Sequence, residues 1–130
     1  GWRGTAIGIS FKTASMMAAQ FGCVPSDIRA AIGPAIDVCC YETDADVPDA
    51  MIKSLGAQAE AFITPAGDKH IVDLKGINRL WLTKAGLPYE NIAVCPLCTR
   101  CHPDFFWSHR RDGATRGSQA ALIALREVCG

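Results

Sequence analysis

Two short apolar runs most constrain how this chain can fold: Ile28 to Ile32 (IRAAI) and Asn91 to Cys95 (NIAVC). The first lies between Val24-Pro25-Ser26-Asp27 and Gly33-Pro34, and turn signals of this kind around an apolar run predict a buried strand. Helical patterns surround these strands. Ile7, Phe11, Ala14, Met17, Ala18 and Phe21 predict one amphipathic helix from Thr5 to Phe21, with Gly22 as its stop. Asp46 to Leu55 predicts a second helix, with Pro48 tolerated in its first turn. A third begins after Asp73 as N-cap, carries Leu74, Ile77, Leu80 and Leu82, and stops at Gly86. Ala61 to Thr64 and His70 to Val72 read as a hairpin around Pro65-Ala66-Gly67-Asp68, and the stretch from Gly33 to Glu42 reads as a loop. Strands alternating with helices, without repeats or linkers, give an α/β or α+β arrangement in one unit over residues 1–130.

Apolar residues make up 49% of the chain and charged residues 20%, enough for a sizeable core. Lys+Arg and Asp+Glu are 13 each, a balance that argues against electrostatic capture of DNA, RNA or an anionic membrane. No run approaches the ~20 apolar residues of a membrane helix. Seven cysteines, an odd number with Cys39 and Cys40 adjacent, fit reduced thiols in a cytoplasm better than a secreted disulfide scaffold.

The segment CPLCTRCH offers Cys95, Cys98, Cys101 and His102 in one loop, half of a zinc module by spacing. No second knuckle follows, and His109 lies too far beyond His102 for an HxxxH pair. A redox CxxC would need a helix start after it, which Pro103 and the aromatic residues do not provide. Small polarizable thiols packed in a tight loop are the plainer reading. Arg110 and Arg111 in SHRRDG could grip phosphate or carboxylate, or could pair with Asp112 in an exposed turn. Arg3 stands between Trp2 and Gly4 near a helix start, where the backbone can approach an anion closely. His70, Asp73 and Asn78 read as hairpin, cap and surface residues. No Ser/His/Asp order, HExxH or glycine-rich phosphate loop is present.

Four segments in order, GWRGTA at the start, AAIGPAIDVCCYE at 30 to 42, VDLKGINRLWLTKAG at 72 to 86, and LCTRC with SHRRDG within 97 to 113, resemble the bacterial YfiH-type laccase-domain family. That family is also called multicopper polyphenol oxidase or purine nucleoside phosphorylase. The resemblance implies a cytoplasmic fold of mixed sheets flanked by helices, related to the cytotoxic necrotizing factor catalytic domain. It implies an enzyme that binds one zinc through two histidines and a cysteine and acts on purine nucleosides, by phosphorolysis and by deamination of adenosine. Copper-dependent polyphenol oxidation, editing of peptidoglycan precursors, and a non-catalytic zinc module built on Cys95 to Cys101 are the alternatives. Copper oxidation is the weaker, since multicopper chemistry needs many histidines and the chain has three.

The family's second metal histidine belongs to a HAGWRG motif, and this chain starts at its GWRG. The resemblance therefore implies a C-terminal portion of such a domain, with the metal ligands upstream of Gly1 and little activity on its own. It also implies that none of the seven cysteines is the family's metal ligand. Arg3 is then the expected catalytic residue near the pocket, and Arg110 and Arg111 the expected substrate-binding residues. The expected partners are a purine nucleoside and phosphate, together with a second copy or the missing N-terminal half against an exposed apolar patch. Where the family continues SHRRDG with Thr-Gly-Arg, this chain reads Ala114-Thr115-Arg116-Gly117, which displaces Arg116 by one position. The family's closing segment is a strand, so Gln119 to Leu125 is assigned as one.

Overall fold

In the computed structural model, which describes residues 1–125, the first helical pattern is split in two. Helix α1 spans Trp2–Ala6 and helix α2 spans Ile9–Phe21, where one helix from Thr5 was expected. Gly8 breaks the pattern by adopting a left-handed φ of 66°, and its bare Cα lies against Trp81: a Cβ there would sit 3.2 Å from the indole. The same indole donates its Nε1–H to the carbonyl of Thr5 at 2.9 Å, so the break is fixed from both sides.

Strand β1 (Ala30–Ile32) and strand β2 (Glu42–Thr43) flank the Cys39-Cys40 loop, and helix α3 (Asp46–Leu55) follows. β2 falls in a stretch read as loop; it is only two residues long and exists through its pairing with a later strand. Strands β3 (Ile63–Ala66) and β4 (Lys69–Val72) form the expected hairpin, but Gly67 at φ 65° and Asp68 alone make its turn. Helix α4 (Leu74–Lys84) starts as expected, with the Asp73 carboxylate accepting from the Gly76 N–H at 2.8 Å. Strand β5 (Ile92–Val94) and the short helix α5 (His109–Asp112) complete the described elements.

The strands make two sheets. β1 and β5 pair in parallel, with Ala30 beside Ile92 and Ile32 beside Val94. Parallel neighbours need a long crossover, which here carries α3, the hairpin and α4. The order in the antiparallel sheet is β2-β4-β3. Helix α4 serves both halves of the interior: Leu74 and Ile77 join Val47, Met51 and Val72 in one core, and Leu82 joins Ala14, Ile28, Leu87 and Ile92 in the other. Met51, Val72 and Ile77 are fully buried, each removing from water a side chain that contributes ~1.5–3 kcal/mol.

Two further expectations change. Asn78, read as a surface residue, is half-buried and joins helices: its Nδ2 donates to Thr5 Oγ1 at 2.9 Å and its Oδ1 accepts from Ser10 at 3.2 Å. Gln119 to Leu125 forms no strand. A strand holds its shape through a ladder with a neighbour, none of the described strands pairs with this segment, and Leu122 and Leu125 stand at least 90% exposed.

Candidate functional site

The parallel β1–β5 pair brings together the loops that follow the two strands. Beyond the strand ends the pairing continues, with Cys95 N–H donating to Ile32 at 2.8 Å and Thr99 N–H to Ala35 at 3.1 Å. Lys75 then ties the loops side to side. Its ammonium is 5% exposed and has all three donors occupied, by the Asp37 carboxylate and the carbonyls of Cys95 (2.9 Å) and Leu97 (3.0 Å). Burial works against the Asp37 carboxylate, but the Lys75 hydrogen bond and the Val38 N–H outweigh it and lower its pKa.

Beside these loops opens a cleft of about 960 Å³. Arg3 enters from α1, its guanidinium stacked on Trp2 at 4.5 Å from the ring centroid. Arg110 enters from α5, lies 5.2 Å from the Tyr41 ring centroid and donates to the Glu42 carbonyl at 2.7 Å. Burial pushes the Tyr41 phenol upward; the charge of Arg110 opposes this, Asp46 adds to it, and Arg3 opposes it more weakly. Two arginines far apart in sequence therefore line one cleft, each against its own aromatic ring. Trp107, His109, Arg116 and Lys69 also line the wall, together with the carboxylates of Glu42, Asp44 and Asp46.

Arg111, expected beside Arg110 as an anion holder, is spent inside the chain. Its five N–H donors go to both Asp112 oxygens, the carbonyls of Thr99 (3.0 Å) and Arg100 (3.1 Å), and that of Phe106 (2.7 Å). No donor is left for a ligand. The sequence shows two adjacent arginines but not that one helical step turns the first toward the cleft and the second toward the cysteine loop.

The cysteines group differently from the expected CPLCTRCH set. Cys98 and Cys101 meet Cys39 and Cys40, with all four sulfurs within 4.8 Å of one another; Cys95 and His102 stand outside the group. Burial alone would raise the Cys98 thiol, but the N–H groups of Asp37, Cys101 and Arg100 and the Cys39 thiol bring it down to about 6. The second pair of thiols, sought after CPLCTRCH, lies before it in the Cys39-Cys40 doublet. Lys75 is the residue missed altogether. A lysine at a core position of an amphipathic helix was the available signal.

Among the described residues, these four cysteines are the one group of His, Cys, Asp or Glu that converges on a common centre. His109, Glu42, Asp44 and Asp46 line the cleft without converging. The described cleft therefore does not fit a metal held by two histidines and a cysteine. No helix among the described residues is long and apolar enough to cross a membrane.

The family model of the multi-copper polyphenol oxidoreductase laccase matches residues 1–126. The chain is 41% identical over 128 residues to the purine nucleoside phosphorylase YlmD of Geobacillus stearothermophilus, covering 98% of this chain and 47% of that protein. It is 36% identical over 118 residues to the adenosine deaminase RL5 of an unknown prokaryotic organism, covering 90% of this chain and 45% of that protein. The crystal structure of YlmD from Geobacillus stearothermophilus matches with a TM-score of 0.83 and 41% identity, over 90% of this chain and 44% of that one. The chain thus spans about half the length of these relatives.

Proposed function

The chain belongs to the multi-copper polyphenol oxidoreductase laccase family, and from that premise we propose that its cleft is the anion-binding part of a purine nucleoside phosphorylase site. The observation that carries the reading is that Arg3 and Arg110 line one cleft, the first stacked on Trp2 and the second against Tyr41. Guanidinium groups stay charged at any physiological pH and present paired donors that match phosphate. Each also lies over an aromatic ring, which fixes its plane before a ligand arrives.

In phosphorolysis a phosphate oxygen forms a bond to C1′ of the ribose while the bond from C1′ to the purine nitrogen breaks. Negative charge moves from the phosphate toward the departing base. Arg3 and Arg110 hold the phosphate and fix its direction of approach, and the exposed Trp107 ring offers an apolar face for the purine. Deamination of adenosine takes water in place of phosphate and has no use for two arginines, so the cleft favours phosphorolysis between the activities named among the relatives.

The zinc of the proposed enzyme, or copper in the oxidase alternative, is held by residues other than those described in the cleft. Activity then requires the rest of a longer domain, and the apolar surface around Ile9, Met17 and Phe21 packs against that part or against a second copy. Reduced cysteines suit a cytoplasmic setting. The test is product identity. Full-length protein containing this segment is given adenosine with and without phosphate: adenine and ribose 1-phosphate that form only with phosphate support phosphorolysis. Inosine formed equally in both would move the assignment to deamination, and oxidation of a phenol without nucleoside turnover would move it to the oxidase.

A further inference from the structure

We propose that Cys39, Cys40, Cys98 and Cys101 form a tetrathiolate zinc site that clamps the loop after β1 to the loop after β5. The proposal is independent of the phosphorylase reading. Zinc in a structural site takes four ligands at about 2.3 Å in a tetrahedron, which places neighbouring sulfurs about 3.8 Å apart. Here Cys39 and Cys101 sulfurs lie 3.7 Å apart, those of Cys40 and Cys101 lie 3.4 Å apart, and all four fall within 4.8 Å. The first two separations are close to the edges of that tetrahedron, and the widest exceeds them by no more than about 1 Å. They are too long for a disulfide, whose sulfurs bond at about 2.05 Å.

The surroundings are those of a metal knuckle. The Asp37 N–H donates to Cys98 Sγ at 3.4 Å, and the N–H groups of Arg100 and Cys101 bear on the same sulfur. Backbone donors of this kind orient and stabilise ligating thiolates. The loops are held from outside the cluster, by Lys75 on one side and by Arg111 on the Thr99 and Arg100 carbonyls on the other. The four sulfurs are thus positioned by contacts that do not depend on the ion. Soft thiolates select zinc over magnesium, calcium or manganese, and each thiol proton displaced by the ion leaves to solvent.

The site has a consequence for the cleft. Tyr41 directly follows Cys40, Thr99 lies between Cys98 and Cys101, and both line the cleft wall. An ion binding the four sulfurs sets the distance between those two walls. The role is structural, since all four positions of the ion are taken by protein and none is open to substrate.

The experiment measures metal content and coordination in protein purified under reducing conditions and equilibrated with zinc. About one equivalent of zinc should separate the wild type from Cys101→Ser, a substitution at an exposed position that leaves the core intact. Affinity for that equivalent should fall more than about 100-fold, beyond the loss typical of an outer-shell change. Cys95→Ser and Cys23→Ser should retain it. Cobalt loaded into the same site should give intense thiolate-to-metal charge transfer, absent in Cys101→Ser. Equal zinc affinity in wild type and Cys101→Ser, measured against a competing chelator, would overturn the proposal, as would loss of zinc in Cys95→Ser, or a disulfide from Cys101 to Cys39 or Cys40 in reduced preparations.

Discussion

The ammonium of Lys75, buried on α4, rests against the carboxylate of Asp37 in the loop after β1 and reaches across to the carbonyls of Cys95 and Leu97 in the loop after β5. One side chain thereby joins the two segments that carry the cysteine cluster. Replacing it with methionine keeps the apolar stem but strands a partly buried carboxylate and two carbonyls. Lys75→Met should lower unfolding stability by about 3 kcal/mol, the cost of breaking a buried pair from one side. Denaturant titration measures it, and a change below about 1 kcal/mol would remove Lys75 from this role.

The same pair sets an acid limit. The folded pKa of Asp37 lies below its ordinary value, so its contribution is complete above the unfolded carboxylate pKa of about 3.9. It is lost as pH falls from there through the lower folded value. Wild type should therefore lose more stability than Asp37→Asn between neutral pH and about pH 3. Parallel stability curves for the two would contradict the assignment.

Local signals made much of the fold legible. Asp73 caps α4 where its position before an amphipathic run said it would, and α3 keeps its expected bounds with Pro48 inside the first turn. The quoted motifs also identified the family that the match over residues 1–126 shows. Non-local facts were not legible. That β1 pairs with β5 depends on a crossover through most of the chain, and only that pairing brings Cys39 and Cys40 to Cys98 and Cys101. Gly8 falls inside the single helix expected from Thr5 to Phe21; the indole of Trp81 that occupies the space above it lies far away in sequence.

Gly8→Ala should destabilise the protein. The residue sits at φ 66°, where an L side chain costs about 1–2 kcal/mol, and the new methyl would press on Trp81. Thermal unfolding and Trp fluorescence should both shift; an unchanged midpoint would mean that α1 and α2 can merge.

Gly76→Ala reverses a common rule. Alanine in a helix normally stabilises by about 1 kcal/mol over glycine. Here its Cβ would lie 2.5 Å from the Phe62 ring, so overpacking should give a net loss of about 1–3 kcal/mol. A gain in stability would show that Phe62 yields freely.

The two neighbouring arginines should separate by experiment. Arg111→Lys cannot reproduce five donors in a fork and should loosen the cysteine loop, at a cost of about 1–3 kcal/mol. Arg110→Lys, at an exposed position, should change stability by less than about 0.5 kcal/mol. Equal losses would erase the division between an arginine that holds the loop and one that faces the cleft.

In the proposed function, Arg3 and Arg110 bind the phosphate that attacks the nucleoside. The KM for phosphate, measured on active enzyme that contains this segment and with nucleoside held saturating, reports that contact. Arg3→Ala and Arg110→Ala should each raise that KM about 10-fold or more, the effect of losing a charge-assisted hydrogen bond of about 1.5–3 kcal/mol, while leaving the KM for nucleoside within about two-fold. An unchanged KM for phosphate in both variants would contradict the account.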